Sequence, residues 1–300
     1  MGVNMPELIC PLCGENNIKS VGKPQVSELA GKFIRNDYNV CQCKSCQFYF
    51  VFPRIEFTQD EWSQLYGSEY FAPMTKWWEK KRRKHRVKRL NMMQSNHDGP
   101  VEKFLDVGCG EGLIMLQAQQ MGWDVYGVDI YDNRIDKAKG EMFHFTLGNL
   151  LEVSYPDDYF DAIYMDSVLE HVLNPVEYLS EINRILKPGG VLYIGVPNEN
   201  SLFNDFRQIV FKLRGGGISA RIKPFKAPYH VGGFTRKSLK TIIRRCDLSL
   251  LRFSNFGGIY EWRKYKAFSR VFLIHFILIP LQLLAIFMRK SGYFDVIVKK

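Results

Sequence analysis

Four cysteines arranged in two pairs are residues whose types and spacing could do chemistry. Cys10 and Cys13 form one Cys-x-x-Cys knuckle, and Cys43 and Cys46 form another after an intervening loop of 29 residues. Two such knuckles can place four thiolates around a tetrahedral Zn²⁺. Cys41 is a competing ligand, although the regular knuckle spacing favours Cys43. Because no histidine or carboxylate is interleaved with the four thiols, the pattern predicts a structural zinc site and not a catalytic one.

A second group is a glycine triplet, Gly108, Gly110 and Gly112, between a buried-type strand and a helix. Glycines at such a turn let the backbone approach a ligand closely, and open α/β sheets bind ligands at this place. A dinucleotide fingerprint has its third glycine one residue later, where this chain has Leu113. The loop therefore predicts a nucleoside-type cofactor and argues against a dinucleotide.

Carboxylates around this loop strengthen the prediction. Asp129 ends the second strand, 23 residues after Asp106, and can accept hydrogen bonds from both hydroxyls of a ribose. Asp106 lies at the tip of the first strand, close to where a cationic amino group could be held. The loop supplies acidic groups, Asp106 and Glu111, where a P-loop has its lysine. A cofactor without phosphates fits these acidic, hydrogen-bond-accepting side chains.

Short apolar strands alternate with amphipathic helices between about 101 and 255. This alternation is typical of a parallel sheet covered by helices on both faces, and such a sheet would position these residues. We predict a zinc-ribbon-like module at 1–56, a basic helical linker at 57–100 and an α/β domain at 101–300. An apolar helical insertion at about 262–290 precedes the last strand, at 292–300.

Local signals predict individual elements of this domain. A helix is expected from about Asp132 to Lys139, and another from Pro175 to Leu186. The second begins with Pro in its first turn and is expected to stop at Pro188-Gly189-Gly190, before a strand over Val191–Val196.

Five ordered segments carry a family resemblance, which covers about 101–198 and one later stretch. They are FLDVGCGEGLIM, VYGVDI, LGNLLEV, FDAIYMDSVLEHVLNPVEYLSEINRILKPGGVLYIGVPN and YHVGGFTRKSLKTII. They resemble the class I S-adenosylmethionine-dependent methyltransferases, especially the branch that includes the quinone-biosynthesis O-methyltransferases. The resemblance implies a Rossmann-like seven-stranded sheet with one reversed strand, and S-adenosylmethionine as cofactor.

The same resemblance implies a set of cofactor contacts. They come from the glycine loop, from the ends of the second and fourth strands, and from the residues after the third strand. Many relatives have Asp where this chain has Asn149, whose amide can still accept from and donate to an adenine edge. The cofactor-binding residues predicted in this way are Asp106, Gly108, Gly110, Gly112, Asp129, Ile130, Asn149, Leu150, Met165 and Asp166.

Methyl transfer from a sulfonium is an in-line displacement, and an oxygen or nitrogen acceptor usually also needs a base. His171, just beyond the fourth strand, and His230, in a Gly- and Pro-flanked loop after the fifth, are the candidates. Either histidine could instead only pack or pin its segment. Met165-Asp166-Ser167-Val168 stands where enzymes that methylate nucleic-acid amines carry (N/D)PPY, which argues against base amines as acceptors.

Charge and hydropathy bear on the partners. The net charge of +10 favours an anionic partner, and eight of the ten residues from Lys80 to Arg89 are Lys or Arg. Val271 to Met288 is almost continuously apolar, but both of its flanks belong to one predicted sheet, which excludes a single membrane crossing. The segment is expected to lie in a membrane interface, to bend at Pro280 as a hairpin, or to pack on protein.

The first 13 residues lack the pattern of a signal peptide, and the knuckle cysteines suit a reducing compartment. We therefore expect a cytoplasmic enzyme, peripheral on the inner face of the membrane, that O- or C-methylates a small-molecule, glycan or lipid-linked acceptor. A zinc-ribbon protein that binds or modifies RNA is the alternative from another class, and a catalytically silent scaffold is a third. The oligomeric state is left open.

Overall fold

Two β-sheets organise the computed structural model, which describes residues 7–58, 61–62, 76–213, 221–256 and 269–300. The larger sheet has seven strands and the smaller has four. Numbered along the chain, the eleven strands are β1 (Ile18–Gly22), β2 (Asn39–Cys43), β3 (Tyr49–Phe52), β4 (Lys103–Val107), β5 (Asp124–Asp129), β6 (Phe143–Leu147), β7 (Phe160–Asp166), β8 (Leu186–Pro197), β9 (Gly232–Gly233), β10 (Ser249–Phe256) and β11 (Tyr293–Lys299).

The large sheet has the strand order β10-β11-β8-β7-β4-β5-β6. Strands β4 to β8 all pair in parallel, and β11 pairs antiparallel with both β8 and β10. This arrangement confirms the predicted Rossmann-like fold, a seven-stranded sheet with one reversed strand. The parallel strands end at a common edge, which brings the residues that follow each of them together.

Helices cover both faces of this sheet. They are α1 (Lys76–Gln94), α2 (Leu113–Gln120), α3 (Pro175–Ile185), α4 (Leu202–Leu213), α5 (Arg236–Arg245) and α6 (Arg270–Phe287). Buried side chains of α1 and α2 pack with Phe104 on one face, and those of α3 and α5 pack with Leu105 on the other. Successive residues of β4 thus enter opposite cores, as the period of a strand requires.

The small sheet joins the N-terminal part of the chain to the large domain. Its strand order is β1-β2-β3-β9, so three strands that precede residue 53 take their fourth partner from Gly232–Gly233. Val26 also bridges to Phe225, and Ser27 N donates to Phe225 O. The division of the chain at 56 and 100 stays a prediction, while the shared sheet shows that its first part packs directly on its third.

Two local predictions are wrong. The segment from Asp132 to Lys139 is not an α-helix, and it contains only a 3-10 turn over Asp136–Ala138. The Asp132 carboxylate accepts from the Arg134 amide and guanidinium, which favours a turn over a helix. The strand expected to begin at Val191 begins instead at Leu186, directly after α3, so β8 includes Pro188-Gly189-Gly190.

The linker helix α1 is anchored by one of its basic residues. Arg89 donates to Asp166 Oδ2 at 2.6 Å and to Asp295 Oδ1 at 2.9 Å, and its guanidinium lies 4.9 Å from the centre of the Tyr193 ring. The helix predicted over 57–97 is thus observed over Lys76–Gln94. Residues 59–60 and 63–75 of that prediction lie outside the described residues.

Helix α4 has its polar side turned inward. Asn204 and Arg207 are half-buried, whereas Phe203, Phe206 and Ile209 are exposed and Leu213 is 82% exposed. This is the reverse of an ordinary surface helix. The inward side chains must therefore meet polar groups in the protein or in a ligand.

Helix α6 is the predicted apolar insertion and contacts α4. It lies between β10 and β11, which are neighbours in the large sheet, and residues 257–268 before it lie outside the described residues. Its second half leaves large apolar side chains exposed, including Leu283, Ile286 and Phe287. Among the helices as far as they are described, none has the length and apolar character needed to span a bilayer.

Candidate functional site

The glycine loop after β4 follows a path that only glycine adopts readily. Gly108, Gly110 and Gly112 all have positive φ, of 69°, 50° and 71°. A Cβ on Gly108 would lie 2.4 Å from Val168 Cγ2, and one on Gly112 would lie 2.6 Å from Ala138 Cβ. A Cβ on Gly110 would meet no described atom within 4 Å. The first and third glycines are therefore needed for packing, and the middle one borders open space that a ligand can fill.

Asp129 stands opposite this loop. Its Oδ2 accepts from the Gly110 amide at 2.7 Å, and its Oδ1 accepts from the Tyr131 amide at 3.2 Å. Burial raises the pKa of the carboxyl, and these amides oppose that shift by favouring the ionised form. The carboxylate thus holds the glycine loop and β5 in register at the edge of the sheet.

Asp106 is buried on the other side of the loop. Its Oδ2 has no hydrogen-bond partner among the described residues. Burial, with Asp129 and Asp166 nearby, raises the pKa of this carboxyl well above its usual value. A buried oxygen without a donor fits a cationic ligand group, since an ammonium would supply both the hydrogen bond and the missing charge.

The other predicted cofactor residues differ in what they offer. Ile130 is half-exposed at the rim, and Asn149 uses Oδ1 to accept from the Leu151 amide at 3.2 Å. The side chains of Leu150 and Met165 are buried in the core, so only their main chains can face a ligand. The Asp166 carboxylate is engaged on both oxygens, by Arg89 and Tyr164 on Oδ2 and by the Tyr293 hydroxyl on Oδ1 at 2.6 Å.

The two candidate bases lie together. The rings of His171 and His230 are 5.0 Å apart and nearly perpendicular, and His230 Nε2 is 3.9 Å from Glu170 Oε1. Both carboxylate oxygens of Glu170 are buried without a hydrogen-bond partner in the part of the chain that is described. The Val231 amide donates to the Glu170 carbonyl at 2.9 Å and so fixes the His230 loop against the turn that follows β7.

Burial leaves this cluster without net charge at neutral pH. It lowers the pKa of His171 to about 4, and burial together with His171 and Lys223 lowers the pKa of His230 to about 3. Burial also raises the pKa of Glu170 to about 8. Both imidazoles are therefore neutral and able to accept a proton, and Glu170 is mostly protonated.

The four knuckle cysteines converge at one point. The Sγ atoms of Cys10 and Cys46 are 3.6 Å apart, as are those of Cys13 and Cys43, and all four lie within 4.8 Å of one another. The cluster includes Cys43, as the spacing favoured, and Cys41 lies outside it. Four thiols at such distances can become tetrahedral ligands with small adjustments.

The cysteine cluster and the histidine cluster are linked through the small sheet. Strand β3 pairs with β9, where Tyr49 faces Gly233 and Phe50 faces Gly232, and His230 lies two residues before β9. A Cβ on Gly232 would lie 2.9 Å from Phe48 Cζ, so only glycine allows this approach. Arg245 of α5 also donates to the Leu12 carbonyl in the first knuckle, at 2.6 Å.

Three site residues were not singled out from the sequence. Arg89 is one of eight basic residues in the segment from Lys80 to Arg89, and no sequence motif distinguishes it from the others. Glu170 directly precedes His171, and this position next to a candidate base could have identified it from the sequence. Glu199, after β8, is buried, and its pKa is raised to about 7 by burial against the opposing effect of Arg221, Arg207 and Lys223. Nothing in its neighbourhood in the sequence indicates burial.

Known methyltransferases are similar to this chain in sequence. A family described as a methyltransferase domain matches residues 105–194. The ubiquinone biosynthesis O-methyltransferase of Xanthomonas campestris pv. campestris (strain B100) is 25% identical over 231 residues, which cover 72% of this chain and 93% of that protein. The demethylmenaquinone methyltransferase of Symbiobacterium thermophilum is 35% identical over 105 residues, which cover 31% of this chain and 42% of that protein.

Solved structures show the same fold. A SAM-dependent methyltransferase from Archaeoglobus fulgidus superposes with a TM-score of 0.51 at 21% identity, over 73% of this chain and 94% of that chain. The 1,6-didemethyltoxoflavin-N1-methyltransferase of Burkholderia thailandensis, solved with 1,6-didemethyltoxoflavin and S-adenosylhomocysteine, has a TM-score of 0.52 at 14% identity, over 89% of this chain and 97% of that chain. The chain therefore contains a methyltransferase domain at residues 105–194, and its glycine loop and sheet order are similar to those of the class I S-adenosylmethionine-dependent methyltransferases.

Proposed function

We propose that this methyltransferase acts on a small-molecule or lipid-linked acceptor that binds beside Glu170, His171 and His230, with the cofactor beside the glycine loop and Asp129. The observation that carries the proposal is the pair of half-buried imidazoles, 5.0 Å apart, at the same sheet edge as the glycine loop. O-methylation is favoured over other transfers, because the relative from X. campestris is named as an O-methyltransferase. C-methylation and a glycan acceptor are the alternatives that the site also accommodates.

The cofactor fits the residues present. We place the ribose hydroxyls on Asp129 and the cationic amino group on the unpartnered Oδ2 of Asp106. Gly110 leaves the space that the nucleoside needs. Ile130, Asn149 and the main chain of Leu150, Met165 and Asp166 complete the predicted contacts. When bound there, the cofactor would supply an electrophilic methyl group on its sulfonium sulfur.

The chain's own task is to orient the acceptor and to take its proton. An acceptor hydroxyl within reach of His230 or His171 would give its proton to the ring nitrogen while the methyl group is transferred to its oxygen. Protonated Glu170 can donate a hydrogen bond to the acceptor or to His230, since none of the described groups uses it.

The four cysteines are proposed to hold one structural Zn²⁺. A tetrathiolate leaves no open coordination position, so the metal would stabilise the first knuckle and β2–β3 and take no part in methyl transfer. Through the β3–β9 pairing, this module would also fix the loop that carries His230. The metal is thus assigned to the acceptor half of the site and not to the cofactor half.

A membrane surface is proposed as the place where the enzyme acts. The apolar surface of α4 and α6 consists of Phe203, Phe206, Ile209, Leu213, Leu283, Leu284, Ile286, Phe287 and Met288, all exposed. Exposed Lys212 and Arg289 flank it. An interfacial membrane segment has this combination of large apolar side chains with neighbouring cations. A lipid-linked or amphipathic acceptor suits an enzyme that docks in this way.

Replacing the ribose acceptor tests the cofactor site. Asp129→Asn removes the charged carboxylate that accepts hydrogen bonds from two backbone amides and, in this proposal, from the ribose hydroxyls. S-adenosylmethionine should therefore bind at least about tenfold more weakly. Isothermal titration calorimetry measures this. Asp132→Asn, a change of the same kind three residues away on an exposed turn, should bind like the unaltered chain. Equal affinities in all three proteins would contradict the placement of the cofactor.

Removing the imidazoles tests the reaction. His230→Ala or His171→Ala should lower methyl transfer about 100-fold while S-adenosylmethionine affinity stays unchanged, because a general base contributes to the chemical step and not to cofactor binding. Transfer of a labelled methyl group into a membrane extract is the measurement, and His144→Ala, an exposed histidine on β6, is the control. Since the pKa values are about 4 and 3, histidine protonation should not lower activity between pH 8 and pH 5. Full turnover in both variants would exclude a histidine base.

Metal content tests the zinc site. The purified chain should carry one zinc ion per molecule by elemental analysis, and Cys13→Ser should carry little or none. Cys41→Ser is the matched control, because this cysteine is close in sequence but outside the cluster, and it should retain the metal. Affinity for S-adenosylmethionine should be the same in both variants. A metal-free wild-type chain, or loss of zinc in the Cys41 variant alone, would refute the assignment.

Vesicle binding tests the membrane proposal. The chain should float with vesicles of phosphatidylglycerol and phosphatidylcholine at low salt. Ile209→Ser with Phe287→Ser should weaken partitioning about tenfold or more, because burying two such side chains fully contributes about 3 kcal/mol or more. Met142→Ser with Leu251→Ser removes exposed apolar side chains elsewhere and should have no effect. Failure to float, or equal loss in both double variants, would exclude a membrane surface on α4 and α6.

A further inference from the structure

The inward side of α4 faces a group of charged residues that the proposed reaction does not use. Glu199 follows β8, and its main-chain amide donates to the Phe234 carbonyl at 2.9 Å, next to β9. Asn204 Nδ2 donates to Glu199 Oε2 at 3.3 Å, and Arg221 donates to the Glu199 carbonyl at 2.6 Å. These contacts place the start of α4 and residues 221–223 on either side of Glu199, beside the His230 loop.

Some of the charges here are paired within the protein. Arg221 Nη2 lies 2.7 Å from Asp205 Oδ1, and Lys290 Nζ lies 3.2 Å from Asp205 Oδ2. Asp205 therefore already serves two cations. Glu199 is the other carboxylate in the group, and with its pKa raised to about 7 it is only partly ionised at neutral pH. The region thus has more positive than negative charge.

Two of its cations have no hydrogen-bonded ion-pair partner among the described residues. Arg207 is half-buried, and its Nε is buried without a hydrogen-bond partner among the residues described. Lys223 is also half-buried and, within the described chain, forms neither an ion pair nor a side-chain hydrogen bond. Burial and repulsion from Arg207 and Lys226 lower the pKa of Lys223. The carboxylate that both cations act on is Glu199, which is only partly ionised, so a bound anion would offset more of the cost of withdrawing the two cations from water.

Their position connects them to the acceptor. Arg207 lies one turn after Asn204 on α4, and Lys223 follows Ile222, whose Cγ2 would be 2.5 Å from a Cβ on Gly233. Gly233 belongs to β9, three residues after His230. Lys223 is also among the groups that lower the pKa of His230, so its charge acts on the ring that is proposed to accept the proton.

We propose that Arg207 and Lys223 bind an anionic group of the methyl acceptor, a phosphate or a carboxylate, and so direct the acceptor toward His230. A guanidinium and an ammonium on opposite sides of one anion make charge-assisted hydrogen bonds, the strong kind in proteins. Neutralising Lys223 in this way also removes a repulsion from protonated His230, which makes the imidazole a better base. The inference rests on the proposed function, because it names the substrate class of the same site.

The outward side of α4 agrees with this assignment. Phe203, Phe206 and Ile209 face away from the group, on the surface proposed to meet the membrane. One helix would then contact the lipid with its apolar side and the anionic part of the acceptor with its polar side. An anionic amphiphile satisfies both.

Anion binding to the full chain saturated with S-adenosylhomocysteine tests the proposal. Inorganic phosphate and benzoate are titrated calorimetrically at constant ionic strength. Arg207→Gln and Lys223→Gln should each weaken binding about tenfold, which is the loss of one charge-assisted hydrogen bond. Lys223→Arg should retain it. Lys237→Gln, which removes an exposed cation from α5, is the control and should bind like the unaltered chain.

Phosphate and benzoate distinguish between a phosphorylated acceptor and one that carries a carboxylate. Binding of phosphate alone assigns a phosphorylated acceptor, binding of benzoate alone assigns a carboxylate, and binding of both supports the anionic subsite. The proposal is overturned if neither ligand binds, or if Arg207→Gln and Lys223→Gln both bind like the Lys237 control. Affinity for S-adenosylhomocysteine is measured in the same proteins. If the unaltered chain does not bind S-adenosylhomocysteine, the proposed function itself is contradicted. If it binds S-adenosylhomocysteine but neither anion, only this inference is contradicted.

Discussion

The pairing of β3 with β9 is the interaction on which the architecture of the acceptor side depends. Two residues, Gly232 and Gly233, form the fourth strand of a sheet whose other three strands precede residue 53. The approach is so close that a side chain on either glycine would overlap Phe48, Ile222 or Glu199. The His230 loop is thus held on one side by the cysteine module and on the other by the Glu170 carbonyl. The position of the candidate base is decided by residues about 180 positions earlier in the chain.

This constraint divides the site into two halves with different origins. The cofactor half is made by the large sheet, where the parallel strands β4, β5 and β7 end at one edge and the glycine loop is held by Asp129. The acceptor half is made by segments outside that sheet, namely the small sheet, the His230 loop and the inward side of α4. Members of a family can therefore keep the first half while the second changes with the acceptor. That difference explains why resemblance names the cofactor more readily than the substrate.

The same division governs how much could be predicted from the sequence. The glycine triplet, Asp106, Asp129 and the alternation of strands and helices are local patterns, so the sheet and its reversed strand followed from them and from the resemblance. Strand β9 could not be predicted, because two glycines have no periodicity and their partner is distant in sequence. Arg89 was hidden among eight cations, and only the tertiary structure shows that it meets Asp166 and Asp295. The helix expected after β5 failed because Asp132 binds the Arg134 amide locally, a competition that an apolar pattern does not reveal.

The strand order of the large sheet has a consequence for folding. Strand β11 lies between β8 and β10 but follows both of them along the chain. Until β11 arrives, β8 is an edge strand with its hydrogen-bonding groups unpaired, and β10 has no strand on which to dock. Contacts such as that between Arg89 and Asp295 close very long loops, which slows their formation. A partly folded chain thus exposes the apolar edge of β8, and edges of that kind are where unfinished sheets associate with one another. Strands β4 to β8 all precede β11 in the chain and can pair before it does. The free edge of β8 can associate with other chains until β11 pairs with it.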